Sequence, residues 1–287
     1  MDKNSALLPQ STHYSKRFRA VFYAIAALVA FLLCMAVGSK DSNWIILISG
    51  ILFLAGSFAA FRYMQKNSFT LLNPTNAIAI LLIAGVLLRL WLAVGIYGYK
   101  SDIACWMGWS HSAYTQGLDH FYTSGQFADY PPLYIYVLYC LGAIANFFQI
   151  GVSALLVKLP AILCDCFTAF LVYKIANDKL GIQPGALNRP EQSAQSAIPM
   201  LAFACIMLNP AIIINSAAWG QIDIIYTLMA ALCLYMLIQK KTVFAIVLFA
   251  LALLLKVQSV LLAPVILFVV IDGLRRRETR RDTLVQM

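Results

Sequence analysis

A polar loop between two apolar segments carries most of the side chains in this sequence that could do chemistry. The loop opens near Tyr99 and ends at Asp129-Tyr130-Pro131-Pro132-Leu133, and no other long polar connection is rich in both aromatic and acidic residues. Carboxylates accept protons and bind hydroxyl groups, and imidazoles combined with carboxylates can bind divalent cations. The candidates are Asp102, Trp106, Trp109, His111, Asp119, His120, Phe121, Tyr122 and Asp129.

Two further motifs place polar side chains beside apolar segments. Trp219-Gly220-Gln221-Ile222-Asp223 precedes one segment, and Lys256-Val257-Gln258 follows another. Asp223 stands at a predicted helix start, where the helix dipole favours an acidic group. Helix capping and ligand binding therefore both stay open as its role. Lys256 ends a helix that is predicted to point toward the outer membrane face.

Ionisable residues also fall inside apolar stretches, where an unpaired charge is costly. Arg89 lies about two turns before the end of its stretch, so it either snorkels toward the outer headgroups or faces an anionic ligand. Asp165 requires a buried partner, for which Lys158 or a backbone donor is the expected candidate.

The composition indicates a membrane protein. Of the 287 residues, 62% are hydrophobic and 11% are charged, whereas roughly a quarter of a soluble domain is charged. A bilayer core of about 30 Å requires roughly 20 apolar residues per helix. We therefore predict an all-α fold, a polytopic transmembrane helical bundle of about 8–9 membrane segments, some shorter than a full crossing.

The distribution of basic residues predicts the orientation of the chain. Four basic residues precede the first apolar segment and five more lie between Arg275 and Arg281, whereas the loops 38–44 and 98–129 contain only Lys40 and Lys100. Cytoplasmic loops collect Lys and Arg, so the net charge of +9 indicates topology and not nucleic-acid binding. The prediction is a multi-pass protein of the plasma (inner) membrane with a cytoplasmic N-terminus and an external polar loop.

Three regions follow from this pattern. Residues 1–75 are predicted to form a cytoplasmic tail and a transmembrane hairpin. Residues 76–274 form the main transmembrane module, with its large external loop at 98–130, and residues 275–287 form a basic cytoplasmic tail. Two apolar segments separate the external loop from a basic polar gap at 177–196, so the sequence leaves the topology of 131–196 open.

Helical spacing within the loop predicts how its side chains are positioned. Asp102, Cys105, Trp106 and Trp109 share one side of a helix, which indicates a short amphipathic helix at the membrane interface. Gly117 is predicted to end this helix. Pro131 and Pro132 suit the start of the next helix, because the first turn requires few N–H donors.

The order and spacing of these motifs resemble the GT-C class of membrane glycosyltransferases, which use lipid-phosphate sugars. The resemblance runs from about Arg89 to Pro264 and corresponds to the N-terminal module of that family. The motifs that carry it are Asp102 through Asp129-Tyr130-Pro131-Pro132-Leu133, Lys158-Leu159-Pro160 with Asp165, Asn209-Pro210 followed by Ser216, Trp219-Gly220-Gln221 with Asp223, and Lys256-Val257-Gln258 before Pro264.

The resemblance implies an inverting transfer of a hexose from a polyprenyl-phosphate sugar donor to a hydroxyl of a glycan, lipid or protein acceptor at the outer face. Asp102 matches the family's catalytic base, which takes the proton of the acceptor hydroxyl. The departing lipid phosphate needs nearby cations, for which Lys256 ranks before Lys158 and Arg89. The substrate-binding candidates are Asp129, Tyr130, Gln221, Asp223, Lys256, Gln258, Arg89 and Trp109.

Several alternatives stay open at this point. Asp102 could be a solvated loop carboxylate or a helix cap. No cofactor is firmly predicted, and a divalent cation bound through His111 or His120 is the weaker alternative, because their spacing matches no compact metal motif. The predicted partners are the sugar donor and the lipid bilayer, with a second membrane subunit as a further option.

The function also has alternatives outside catalysis. The chain could be a non-catalytic or truncated GT-C-like membrane assembly protein, or a lipid or sugar transporter. Transporters place polar groups near the bilayer midplane in repeated halves, and no internal repeat is visible in this sequence. Family members are commonly longer, so a compact enzyme, a truncated product and one half of a two-component enzyme all stay open.

Overall fold

The computed structural model describes residues 51, 55–56, 74–123, 125, 127–180 and 190–275, and all regular secondary structure in these residues is helical. This confirms the all-α prediction. The predicted N-terminal hairpin, apart from three residues, and the basic tail beyond Arg275 lie outside the described residues. The helices are α1 (Pro74–Gly95), α2 (Lys100–Gln116), α3 (Pro132–Phe147), α4 (Ala154–Leu180), α5 (Pro190–Met207), α6 (Pro210–Ile213), α7 (Asp223–Ile238), α8 (Thr242–Leu255) and α9 (Ala263–Arg275).

Within the described residues, three helices are long and apolar enough to cross a membrane: Ala77–Gly95, Ala154–Lys179 and Ile198–Trp219. Four shorter apolar helical segments accompany them: α3, α7, α8 and the segment Val257–Asp272. The last segment combines the 3-10 helix Val257–Leu262 with most of α9. The chain is therefore a helical membrane protein, and the number of membrane segments stays a prediction.

The chain divides into two compact units, and each of them is discontinuous in sequence. One unit consists of Met1–Gly85 and Val172–Ile213, and its described part holds the start of α1, the end of α4, and α5 and α6. The other unit consists of Val86–Leu171 and Ile214–Met287. Every polar side chain of the candidate site belongs to this second unit.

Two predicted helix boundaries in the loop region are confirmed. α2 ends at Gln116, and Gly117 follows with φ of 90°, a conformation that glycine adopts without strain. α3 begins at Pro132 after an extended Pro131. The polar gap predicted at 177–196 is smaller than expected, because α4 continues to Leu180 and α5 already begins at Pro190. Proline suits the first position of a helix, which explains the early start of α5.

α2 and α3 pack closely because small residues lie between them. A Cβ added to Gly142 on α3 would lie 2.7 Å from the carbonyl oxygen of Ser110 on α2. The Ser110 hydroxyl donates a hydrogen bond of 2.8 Å to the Leu138 carbonyl. Small residues and interhelical hydrogen bonds are the usual means of packing helices in a membrane. This contact fixes α2, and the residues at its start, against the bundle.

Candidate functional site

The segment between α6 and α7 has an unusual backbone conformation. Residues Ile214–Trp219 form a π-helix, which occurs mostly as single turns and often at functional sites. The backbone N–H groups of Gly220 and Gln221 both donate to the Asn215 carbonyl, at 3.1 and 2.9 Å. Gly220 has φ of 88°, and a Cβ there would lie 2.6 Å from Ile103. We call residues 215–223 the connector.

Two hydrogen bonds to carbonyl groups of the connector join it to α2 and to the residue just before α2. The Trp106 indole N–H donates to the Gly220 carbonyl at 3.1 Å. The backbone N–H of Tyr99, just before α2, donates to the Trp219 carbonyl at 3.0 Å. Both donors belong to the start of the polar loop, so the two motifs recognised in the sequence are adjacent in space.

Four polar side chains meet where these segments join, and we call them the polar cluster: Asp102, Gln221, Asp223 and Lys256. The Gln221 amide donates to Asp102, and the Lys256 ammonium donates to Asp223. Asn215 links the two pairs, because its carbonyl accepts a hydrogen bond from the backbone N–H of Gln221 and its side chain contacts Asp223. Asn215 donates to the second oxygen of Asp223 at 3.3 Å.

Aromatic rings border the cluster on the side of Lys256. Its ammonium nitrogen lies 5.7 Å from the ring centre of Tyr130 and 5.6 Å from that of Tyr226, distances typical of cation–π contacts. Tyr130 in turn packs edge-on against Trp106, with ring centres 4.9 Å apart. The sequence predicted Tyr130 as a site residue but did not single out Asn215 or Tyr226.

Electrostatics keep Lys256 charged at neutral pH. Burial alone lowers the pKa of Lys256, but Asp223 and Tyr130 raise it by more, so its net pKa lies above the ordinary value. Burial raises the pKa of Tyr130, and the opposing effect of Lys256 does not cancel that rise. Tyr130 is therefore a neutral phenol beside a charged ammonium group.

Arg89 lies away from solvent and neither snorkels nor is exposed to a ligand. Its side chain is fully buried, and its Nε donates to Asp165 at 2.6 Å. The Ser216 hydroxyl donates to the same carboxylate oxygen at 2.6 Å. Arg89 and Ser216 are therefore the partners of Asp165, and the expectation of Lys158 was wrong.

Lys158 instead binds main-chain carbonyls. Its ammonium donates to the carbonyl of Ile96 at 2.7 Å, and to those of Ala93 and Ala218 at 3.4 Å. The last carbonyls of a helix have no partner within the helix, so Ala93 at the end of α1 and Ile96 just beyond it supply ready acceptors. Lys158 thereby holds the connector against α1 from within the protein.

Three other predicted binding residues lie in different surroundings. Trp109 is buried, and its indole N–H donates to the Phe127 carbonyl at 2.8 Å, so it secures the loop. Asp129 and Gln258 are exposed, and neither side chain has a hydrogen bond to any residue that the structure describes. Their predicted contact with substrate stays a prediction.

The described residues contain no group of three or more His, Cys, Asp and Glu side chains that could hold a metal ion. His120 lies 3.3 Å from Asp119, and both side chains are exposed. This pair offers two ligand groups at most, so a metal site would need ligands from elsewhere.

Comparison with known proteins gives one family. The family model described as GPI transamidase subunit PIG-U matches residues 110–286, more than half of the chain. No curated protein and no solved structure matches the chain. The matched range includes Tyr130, Gln221, Asp223 and Lys256 but not Asp102. The chain belongs to the PIG-U family, whose model describes a subunit of GPI transamidase.

Proposed function

We propose that this chain is a subunit of a membrane assembly, and that its polar cluster binds the saccharide head group of a glycolipid. The family supports the role of a subunit. The observation that carries the binding role is the convergence of Asp102, Gln221, Asp223 and Lys256 from three separate parts of the chain.

The chemistry of the cluster fits a sugar. Each sugar hydroxyl is both a donor and an acceptor, so its recognition requires acceptors and donors side by side. Asp102 and Asp223 accept, Lys256 donates, and the Gln221 amide does both. Hydrogen bonds to charged groups are stronger than those between neutral groups, so the two carboxylates and the ammonium group would each bind a sugar hydroxyl firmly.

The state of Lys256 favours binding over catalysis as the main role. The transfer reaction implied by the resemblance to GT-C enzymes requires a cation that can stabilise the charge on the departing phosphate. The Lys256 ammonium is already paired with Asp223 and lies against two tyrosine rings. Its charge is therefore largely compensated, whereas its remaining N–H donors can still serve a hydroxyl.

Hexosyl transfer is the second candidate function, and the position of Asp102 favours it. Asp102 is partly exposed, lies on the first turn of α2, and receives a hydrogen bond from Gln221. A carboxylate so placed can take the proton of an acceptor hydroxyl as that oxygen attacks the sugar's anomeric carbon. As the new bond forms, the bond between the anomeric carbon and the lipid phosphate breaks, and the phosphate leaves with the electron pair.

The binding proposal can be tested with purified protein in lipid nanodiscs. The probes are a GPI glycolipid and a polyprenyl-phosphate hexose, each compared with its lipid lacking sugar. Asp223→Asn removes the charge that orders Lys256, and we expect about tenfold weaker binding of the sugar-bearing lipids. Asp119→Asn changes an exposed carboxylate of the polar loop that lies outside the polar cluster, so it is the control and should bind normally. Equal wild-type affinity with and without sugar would refute the proposal.

Transfer is tested separately with a radiolabelled polyprenyl-phosphate hexose and membrane extract as the source of acceptors. If Asp102 is the base, Asp102→Asn should slow product formation by about 10²–10⁴-fold. The variant should insert into membranes normally, because an amide can still accept the hydrogen bond from Gln221. Unchanged turnover would remove Asp102 from this role, and no product with the wild type would leave binding as the function.

A further inference from the structure

Two exposed aromatic side chains pack against each other where the start of α2 meets the connector. Tyr99 is 55% exposed and Trp219 is 47% exposed, and their ring centres are 5.7 Å apart at an angle of 50°. Each ring therefore packs against the other while leaving a large part of its surface open. We call this pair the aromatic platform.

The backbone beneath the platform is held firmly. The N–H of Tyr99 donates to the Trp219 carbonyl, and a Cβ added to Gly98 would lie 2.5 Å from that same oxygen. One position earlier, the Lys158 ammonium binds the Ala218 carbonyl from the interior. The two rings consequently need little ordering when a ligand arrives, which lowers the entropic cost of binding.

The platform adjoins the polar cluster. Tyr99 lies three residues before Asp102, a spacing that puts both at the same turn of the chain, and Trp219 lies two residues before Gln221. The same two segments are therefore joined three times: by the rings, by a backbone hydrogen bond, and by the contact between Gln221 and Asp102. Aromatic surface and hydrogen-bonding groups occur side by side.

This juxtaposition matches the two sides of a sugar ring. A pyranose has an apolar face of C–H groups and a rim of hydroxyls, so it can pack on an aromatic ring while its hydroxyls reach carboxylates and amides. We propose that the aromatic platform binds one sugar ring of the head group held at the polar cluster, an inference that rests on the proposed function. Trp and Tyr also anchor proteins at membrane interfaces, but carboxylates beside the rings disfavour burial in acyl chains.

The test measures the affinity of protein in nanodiscs for polyprenyl-phosphate hexose and for bare polyprenyl phosphate. Trp219→Leu and Tyr99→Leu should each weaken binding of the sugar-bearing lipid by about tenfold and leave the bare lipid unaffected. Trp219→Phe keeps a ring and should retain most of the affinity, which guards against an effect of misfolding. Trp91→Leu is the matched control, because Trp91 is 56% exposed on α1.

The outcomes separate this inference from the proposed function. A wild type that binds both lipids equally overturns both. A wild type that prefers the sugar-bearing lipid, with an unchanged preference in both leucine variants, overturns the platform alone. Equal losses for both lipids would identify the rings as membrane anchors and also overturn the platform. A loss confined to the sugar-bearing lipid, absent in Trp91→Leu, supports it.

Discussion

Lys256 shows how single side chains set the properties of the site. Its side chain is 15% exposed, and its charge is retained because Asp223 and Tyr130 outweigh the effect of burial. A group whose pKa is raised in the folded state stabilises the fold at lower pH. That contribution is present at neutral pH and is lost as the pH rises above the ordinary value of 10.5 toward the raised one.

The reactivity of Lys256 tests this electrostatic description. Only the neutral amine reacts with acylating reagents, so the pH profile of its labelling follows its pKa. Asp223→Asn removes a group that raises the pKa, and we expect the profile to shift to lower pH. Mass spectrometry of the peptide containing Lys256 measures the shift, and Asp119→Asn should leave it unchanged. An unaltered profile in Asp223→Asn would contradict the ion pair.

The buried Arg89–Asp165 pair joins α1 to α4. Ser216, which belongs to the connector, donates a hydrogen bond to Asp165 and so joins the connector to the same pair. A buried charge that loses its partner costs about 3–5 kcal/mol, whereas removing both charges together often costs little. Arg89→Met and Asp165→Leu should therefore each destabilise the protein strongly, and the double variant should be more stable than the sum of the two losses implies. Unfolding in detergent measures all four proteins, and simple additivity would contradict this coupling.

The contact between α2 and α3 gives a prediction with a control inside the same pair of helices. A Cβ on Gly142 would lie 2.7 Å from the Ser110 carbonyl and 2.8 Å from the Tyr114 Cβ, both of which are difficult to displace. Gly142→Ala should cost about 1–3 kcal/mol, as overpacking does in other cores.

Gly108, on α2, faces open space, and a methyl group added there would meet no neighbouring side chain or segment within 4 Å. Gly108→Ala should therefore be neutral or stabilise the protein, because alanine is the better helix former by about 1 kcal/mol. Thermal unfolding of the two variants under the same conditions provides the comparison. Equal effects would show that α2 and α3 do not approach as closely as described.

Local sequence patterns were sufficient for the two helix boundaries of the polar loop but not for the partners of buried charges. Gly117 and Pro132 mark helix boundaries through their own backbone preferences, so both boundaries could be predicted. Asp165 is 76 residues from Arg89, and nothing in either local pattern distinguishes Arg89 from Lys158 as its partner. Trp109 was expected at a binding surface, but its burial depends on the path of the loop around Phe127.

The polar cluster was easier to anticipate than these pairs. Three of its members lie at helix ends that were predicted to be at one membrane face: Asp102, Asp223 and Lys256. A shared membrane face limits the distances between these side chains. The exposed rings of Tyr99 and Trp219 were missed as a pair, since their contact depends on the backbone at Gly98 and Gly220. The available signal was the glycine next to each ring in the sequence, in Gly98-Tyr99 and Trp219-Gly220.

The orientation of the whole molecule in its membrane can be tested by cysteine labelling. The proposed function places the polar loop outside, and the distribution of basic residues places the C-terminal region inside. In intact cells, a membrane-impermeant maleimide should label Thr123→Cys and not Arg275→Cys, beyond the background of the unsubstituted chain. Both positions are exposed. The reverse pattern would place the polar cluster on the cytoplasmic side.

The most direct test of the central proposal is a crosslinking experiment on the purified protein. A polyprenyl-phosphate hexose that carries a photoreactive group on its sugar is incubated with the protein in nanodiscs and irradiated, and the attachment sites are mapped by mass spectrometry. We expect attachment within residues 99–102, 130 and 219–226, suppressed by excess unlabelled sugar lipid. Attachment that is confined to other helices, or that persists under competition, would contradict a saccharide site at the polar cluster.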